Sequence, residues 1–479
     1  MRNALTANPT RRLALNTAAP MAARLVDAAF AVVYLRLLGR ADVGAFTFLV
    51  VLTTYLDTLV DFGLNALIAR DVSRGSVSAR AAFRSVNLLR LALWLVGLPV
   101  VLVVYGPLQG QAELSSEAAL AGWLFYAALL PTVLAKTATG VLWSQERLDL
   151  SAAVQVLTTL LKTVLGVVVL FAGFGVIGLA GASLATNVVT AAVLWWLSVR
   201  AIHDESLTET HAPPLVMWLR EGWPLFVNQL LQGLFFKIDA LLLLPLAGDV
   251  AAGTYAAAYK VSEGAGIISS SFTLALFPRL SRQGQDLSGA YRMALRVLLQ
   301  IALPLAVGTA LLSAPIVGLV GGREYLPDSA TALAILICYL PLSYANGLTQ
   351  YVLIAAGKQR LLTGAFAAAL VFNLFANLLL IPRFSYVGAA WVTVASEVVL
   401  LVPFRMAVRR VTTDVSLVQE VRTPLLATLL MAPVVWWLRD AVHPLVAIPA
   451  GAAIYAAGLW ALGGIDASQR RLLLQFVRP

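Results

Sequence analysis

The sequence predicts an all-α polytopic membrane protein of about 14 transmembrane helices, arranged as two pseudo-symmetric six-helix lobes plus two C-terminal helices. Three observations predict it. The first is composition: 479 residues, 60% hydrophobic and 12% charged, with a mean hydropathy of +0.85, leave too little polar surface to clothe water-soluble domains of this size. The second is segment length. The apolar stretches run to about 20 residues, which suits helices crossing a hydrocarbon core of roughly 30 Å; barrel strands would be about half as long and would alternate in polarity. The third is an internal echo. The run Leu37-Leu38-Gly39-Arg40-Ala41-Asp42-Val43-Gly44-Ala45-Phe46 recurs loosely as Leu246-Ala247-Gly248-Asp249-Val250-Ala251-Ala252-Gly253-Thr254-Tyr255, and Gly178-Leu179-Ala180-Gly181 recurs as Gly388-Ala389-Ala390-Trp391, at offsets of 209 and 210 residues.

Apolar windows between charged or Pro/Gly-rich breaks place the spans in order. Span 14–38 is interrupted by Arg24 and Asp27 and is read as a permanent span rather than a removed signal peptide, for it lacks a convincing cleavage site. Span 42–68 carries Asp57 and Asp61 before Phe62-Gly63, and 84–105, 118–142, 150–171 and 176–199 complete the first set, the last closing on Trp195-Trp196 and Arg200. Residues 201–218, with His203, Asp204, Glu205, Glu209, His211 and Pro213-Pro214, read as a cytoplasmic linker. The second set is 219–245, 251–277, 290–312, 329–355, 361–381 and 386–408, and the segments 424–438 and 443–463 are additional. The domain division is thus 1–200, 219–410 and 411–479 around the linker. Duplicated halves of this kind are an architecture of membrane transporters.

Loop charge sets the orientation. With the N-terminus inside, nearly every loop Lys and Arg falls on the cytoplasmic side, and the outer side receives only Arg40, Arg323, Arg383 and Arg439. Both termini are therefore expected in the cytoplasm, and the net charge of +10 is a consequence of topology, not a nucleic-acid footprint. Cys338 is the single cysteine and the three histidines lie in connections, so redox and zinc chemistry are not expected. No outer loop is long enough to fold as a catalytic domain, which argues against a membrane glycosyltransferase.

Charged groups within spans cost about 2.5–3.5 kcal/mol each on insertion scales and so face a hydrated cavity or a partner. They are Arg24, Asp27, Asp57, Asp61, Arg90, Lys136, Lys162, Lys237, Asp239, Lys260, Glu263 and Glu397. Arg24 with Asp27 and Lys260 with Glu263 are spaced for intrahelical pairs, whereas Asp57 and Asp61, four apart on one face, repel unless they bind a cation or share a proton. Arg90 and Lys136 are read either as snorkelling or as cavity-lining. Asn373 and Asn377, one turn apart, and Thr393 offer oxygens of the kind hard cations take, or serve as interhelical glue.

Leu37 to Phe48 followed by Asp61-Phe62-Gly63-Leu64 and Arg70, Lys237-Ile238-Asp239 preceding Gly253 to Lys260, and Asn373-x-x-x-Asn377 preceding Ile381-Pro382 and Gly388-Ala389-Ala390 resemble the polysaccharide-transport branch of the multidrug/oligosaccharidyl-lipid/polysaccharide exporter superfamily. The resemblance covers most of the chain through about residue 410. It implies a secondary transporter of the bacterial inner membrane, not an enzyme, that flips a polyprenyl-pyrophosphate-linked oligosaccharide from the cytoplasmic to the outer leaflet by alternating access, for cell-surface polysaccharide biosynthesis. It assigns Arg24, Lys237 and Lys260 to the pyrophosphate, with Arg90, Lys136 and Lys162 lining the way in, and it places a sodium ion at Asp239, Asn373, Asn377 and Thr393. No cofactor is expected beyond a coupling sodium ion or proton. The implied partners are the lipid-linked glycan, membrane lipid, a polysaccharide polymerase and glycosyltransferases. In the related peptidoglycan lipid flippases, arginines sit on the first, second and eighth spans; here the second span carries acids instead. The rival readings are a peptidoglycan-precursor flippase, a multidrug exporter with an acidic aromatic cavity, and a scaffold of a glycan assembly complex.

Overall fold

In hydrocarbon every main-chain polar group has to be satisfied within the protein, so an apolar chain of this length folds into helices. A computed structural model describes residues 9–106, 114–203, 213–280, 287–412 and 415–464, and it holds helices and no strand among the described residues. In chain order these are α1 (Pro9–Leu37), α2 (Arg40–Asp61), α3 (Leu64–Ser73), α4 (Ala79–Tyr105), α5 (Ser116–Ser144), α6 (Leu148–Phe171), α7 (Gly175–His203) and α8 (Leu215–Ala247). They continue as α9 (Asp249–Leu280), α10 (Leu287–Leu311), α11 (Ser313–Val320), α12 (Asp328–Leu336), α13 (Leu340–Ala355), α14 (Gln359–Val408), α15 (Leu417–Ala441) and α16 (Pro444–Ala461). Half of the linker expected at 201–218, residues 204–212 with Asp204, Glu205, Glu209 and His211, lies outside the described residues.

Eleven of the described helical segments are long and apolar enough to cross a membrane. One of them is α14, which at 50 residues would be about 75 Å long if straight, more than twice the hydrocarbon thickness. It is interrupted at Ser385 (φ 52°, ψ −138°), between the predicted spans 361–381 and 386–408, and so contains both. Span 42–68 is α2 with α3; the join is the left-handed pair Phe62 (φ 48°) and Gly63 (φ 73°). Span 329–355 is α12 and α13 joined by a turn of 3-10 helix at Ile337–Tyr339. The predicted spans 14–38 and 251–277, which are not among the eleven, correspond to α1 and α9. The protein is an all-α polytopic membrane protein.

Two units divide the chain, residues 1–253 and 254–479. In the first, α5 packs against α2, α3, α4 and α7, α1 lies on α6, and α2 also meets α8. The core includes Phe62, Leu64, Ile68, Ala79, Val86, Ala138, Leu142 and Trp218. Lipid tails are as apolar as leucine, so close van der Waals packing rather than escape from water holds these helices together, and small residues matter most where backbones touch. Gly44 and Gly253, the repeated pair of the sequence, illustrate this. A Cβ on Gly44 would lie 2.0 Å from Asp249 O and one on Gly253 1.8 Å from Arg40 O, so the N-terminal turns of α2 and α9 meet backbone to backbone. At the far end of α2, a Cβ on Gly222 of α8 would lie 2.6 Å from Phe62 O, and Arg70 of α3 pairs with Asp71 and with Glu221 of α8.

In the second unit α10 packs against α13 and α15, α12 and α13 pack against α14, and α15 pairs with α16. Leu312, Ala427, Met431, Val435, Ala447 and Tyr455 form a core around the two C-terminal helices. Arg296 Nε, 2.6 Å from Glu420 Oε2, ties α10 to α15, and the Tyr455 hydroxyl donates to Gln300 O at 2.7 Å, tying α16 to α10.

Candidate functional site

Helices α2, α4 and α5 bring four intramembrane charges of the first unit together. Lys136 Nζ lies 2.7 Å from Asp57 Oδ2 and 3.9 Å from Asp61 Oδ1. Arg90 Nη2 lies 2.9 Å from Asp61 Oδ1. The two carboxylates, expected to repel unless a cation or proton joins them, therefore meet two cations of the protein itself, and the formal charges cancel. Arg90 is 0% exposed, and its other guanidinium bonds go to Asn65 Oδ1 (2.9 Å), Thr137 Oγ1 (2.7 Å) and Val133 O (3.4 Å). It is thus enclosed between helices and neither snorkels nor lines the way in, a correction forced by its complete burial. Lys136 is half-buried and remains at a cavity wall. The supporting residues Asn65 and Thr137 were missed in the sequence: Asn65 lies four residues beyond Asp61 but across the Phe62–Gly63 break, and Thr137 follows Lys136 directly.

The other nominated cations lie on α1, α6, α8 and α9. Lys260 Nζ donates to Glu263 Oε2 at 2.8 Å, the intrahelical pair its spacing predicts. Arg24 on α1 and Lys162 on α6 are uncovered by protein, Lys237 on α8 is half-buried, and Asp27 makes no ion pair with Arg24 among the described residues. Asp239 is buried, with Oδ1 accepting from the Ala240 N–H at 2.7 Å.

Of the four residues assigned to sodium, Asp239 belongs to the first unit and Asn373, Asn377 and Thr393 to the second. Asn377 Nδ2 donates to Asn373 Oδ1 (2.7 Å) and Asn373 O (3.0 Å). The two asparagines therefore bond to each other along one helix. Asn377 Oδ1 is left buried with no hydrogen-bond partner, an acceptor of the kind a hard cation takes. Thr393 Oγ1 donates to Ala389 O at 3.1 Å, and a 3.1 Å hydrogen bond joins it to the Tyr255 hydroxyl. One turn further, Glu397 is buried and accepts at Oε2 from Asn346 Nδ2 of α13 (2.7 Å), which also reaches Glu397 O (2.9 Å). The only sequence signal for Asn346 was an amide inside an apolar span.

Each unit contains a cavity. In the first, about 470 Å³ opens between α5, α6 and α7, with Lys136, Trp143, Gln155 and Asn187 among its lining residues. In the second, about 370 Å³ lies among α10, α11, α15 and α16 and is walled mainly by apolar side chains such as Ile301, Leu305, Ile316, Met431 and Ile448.

Comparison with known proteins gives these features a context. The profile of the family described as polysaccharide biosynthesis protein matches residues 10–283, and the MatE profile matches residues 224–379. A probable flippase, AglR, of Haloferax volcanii is 24% identical over 339 residues, 69% of each chain. A putative O-antigen transporter of Shigella dysenteriae is 24% identical over 177 residues, 36% of this chain and 44% of that one. Among solved structures, the lipid II flippase MurJ in an inward closed conformation aligns with a TM-score of 0.77 at 14% identity, over 93% of this chain and 97% of its own. A multidrug resistance MATE transporter in an inward-facing conformation aligns with a TM-score of 0.62 at 18% identity, over 83% and 97%. The structural likenesses establish the fold. With the family profile spanning more than half of the sequence, the chain belongs to the polysaccharide biosynthesis protein family, within the polysaccharide-transport branch of the multidrug/oligosaccharidyl-lipid/polysaccharide exporter superfamily.

Proposed function

We propose that the protein flips a polyprenyl-pyrophosphate-linked oligosaccharide from the cytoplasmic to the outer leaflet of the bacterial inner membrane by alternating access, supplying cell-surface polysaccharide assembly. One observation carries the reading: a chain of the polysaccharide family builds an apolar cavity of about 370 Å³ with its two C-terminal helices. A transporter of wholly water-soluble cargo has no use for such a space, whereas a cargo with a lipid tail does. The names of the two relatives and of the lipid II flippase agree in kind. The likeness to the lipid II flippase favours a polyprenyl-linked cargo over a drug.

A pyrophosphate in a low-dielectric region needs compensating charge. Arg24, Lys162 and Lys237 lie outside the Asp57–Asp61 cluster and are the cations we assign to the pyrophosphate, together with Lys260, whose ammonium also holds Glu263. Asn373, Asn377 and Thr393 supply oxygens for a coupling sodium ion, and the partnerless Asn377 oxygen supports that choice. Bound sodium would supply positive charge to the second unit. Glycosyltransferases and a polymerase would act before and after the flip.

The test is reconstitution into proteoliposomes, with a polyprenyl-pyrophosphate glycan supplied on one leaflet and its appearance on the other read by lectin accessibility. Transfer should exceed that of protein-free vesicles and fall at least tenfold for Ile448→Glu, which puts a charge into the apolar cavity. Arg24→Ala and Lys237→Ala should also lower transfer at normal protein levels; unchanged transfer in both removes the cationic part. Transport of a lipophilic cation with no transfer of the glycan lipid would establish the drug-exporter reading instead.

A further inference from the structure

The cavity of the first unit differs in chemistry from both the pyrophosphate and the prenyl tail. Its walls come from three helices, α5, α6 and α7, and its polar groups are mostly uncharged amides and hydroxyls. Their hydrogens are largely committed already. Thr132, Thr139 and Thr158 each donate to the main-chain oxygen one turn back, at 2.8, 2.9 and 2.8 Å. Thr190 then donates to Thr158, since the two hydroxyls lie 2.8 Å apart and the Thr158 hydrogen is spent. Ser151 donates to Leu148 O at 2.9 Å and accepts from the Trp143 indole N–H at 3.0 Å. Asn187 uses its amide nitrogen on Ala128 O (3.1 Å) and Thr132 Oγ1 (3.0 Å), and its carbonyl oxygen has no protein partner among the described residues. Gln155, whose side-chain amide makes no hydrogen bond among the described residues, lines the same wall.

What remains for a ligand is a surface of acceptor lone pairs with one adaptable amide and one aromatic ring. An anion is disfavoured there: acceptors repel phosphate oxygens, and the one ammonium, Lys136, is matched by Asp57 at 2.7 Å. A cation finds no carboxylate among the lining residues, and Asp57 is already spent on that same ammonium. A neutral molecule rich in O–H donors satisfies the wall, and the electron-rich face of Trp143 suits the weakly positive C–H face of a sugar ring. The volume lies in the range of small-ligand sites.

We propose that this cavity is a glycan subsite, holding one or two sugar units of the cargo through their hydroxyl donors while the charged and lipid parts bind elsewhere. The assignment rests on the flippase reading above. Polar groups inside a membrane lobe commonly serve as glue between helices, and the Thr158–Thr190 and Asn187–Thr132 bonds do that. Gln155 and Thr139 bridge no helices, and they mark the cavity as more than a packing defect.

The experiment compares two probes in proteoliposomes of the full chain: polyprenyl pyrophosphate bearing N-acetylglucosamine or a hexose, and glycan-free polyprenyl pyrophosphate. Gln155→Ala and Thr139→Val should each lower the ratio of glycan-bearing to glycan-free transfer by about fivefold, the worth of one lost hydrogen bond. Trp143→Ala should do the same, with Trp143→Phe restoring the ratio. Leu157→Ala, on α6 outside the cavity, should leave it unchanged. A ratio that stays constant in Gln155→Ala and Thr139→Val, whether or not both rates fall, overturns the subsite while leaving the flippase reading intact. A wild-type protein that moves neither lipid, yet moves tetraphenylphosphonium, overturns both.

Discussion

At the scale of single residues, the Asp61–Arg90 contact is where the electrostatic stakes are highest. A buried ion pair contributes little net stability against an apolar pair of equal volume, but removing one partner strands the other charge, at about 3–5 kcal/mol. Arg90 is fully enclosed and its bonds to Asn65 and Thr137 do not replace a countercharge. Asp61→Ala should therefore destabilise the protein by about 3 kcal/mol or more, and Asp61→Leu with Arg90→Met should recover most of that loss. Unfolding of the single and double variants in detergent micelles measures the coupling; additive losses would show that the pair is not the unit of stability. Glu397 is the contrasting case: neutral Asn346 holds it, and no ion pair reaches it among the described residues. Asn346→Ala should cost about 1–3 kcal/mol because it removes one of the hydrogen bonds to a buried carboxyl group.

At the scale of elements, glycine decides where helices touch. A side chain at Gly44 has no room, since Asp249 O and Gly253 N, both main-chain atoms, occupy the space of its Cβ. A Cβ on Gly181, in the helix α7, would meet nothing within 4 Å among the described residues beyond its own helix backbone. Gly44→Ala should destabilise by about 1–3 kcal/mol through overpacking, and Gly181→Ala should be neutral or slightly stabilising because alanine is the better helix former. Equal melting temperatures in the two variants would show that the α2–α9 contact yields. The same pair shows what was legible in the sequence. Hydropathy revealed the spans because lipid leaves the chain few alternatives to helix, and the repeat marked Gly44 and Gly253 as equivalent, yet nothing in the pattern said that the equivalent residues touch each other. The site was less legible for a related reason. Spacing along one helix predicts partners three or four residues away, as it did for Lys260 and Glu263; the partners of Asp57, Asp61 and Glu397 come from other helices, and no one-dimensional period encodes them. The break at Ser385 was foreseen only as a gap between apolar runs. Its positive φ, which a serine adopts only at some cost, needed coordinates.

At the scale of the whole molecule, span parity sets which side each loop faces, and the charge asymmetry makes a sharp prediction because α14 holds two spans with only the break at Ser385 between them. If the break at Ser385 turns the chain around, Arg383 faces out while Lys358 and Arg409 face the cytoplasm. If α14 crossed once, Arg383 would lie within the membrane and Lys358 and Arg409 would lie on opposite sides, scattering the loop arginines that follow. Arg200 stacks on Trp196 at 3.6 Å at the end of α7, and Arg439 stacks on Trp436 at 3.5 Å at the end of α15; both pairs suit interfaces, where indole rings and arginine settle together. Cys338 is the single cysteine, so Cys338→Ser gives a background in which one cysteine at a time can report its side. In intact cells a membrane-impermeant maleimide should label Arg40→Cys, Arg323→Cys, Arg383→Cys and Arg439→Cys. It should label Lys358→Cys, Arg409→Cys and Arg422→Cys only after permeabilisation. Labelling of Arg409→Cys in intact cells would break the fourteen-span count at α14, and with it the reading that both termini lie in the cytoplasm.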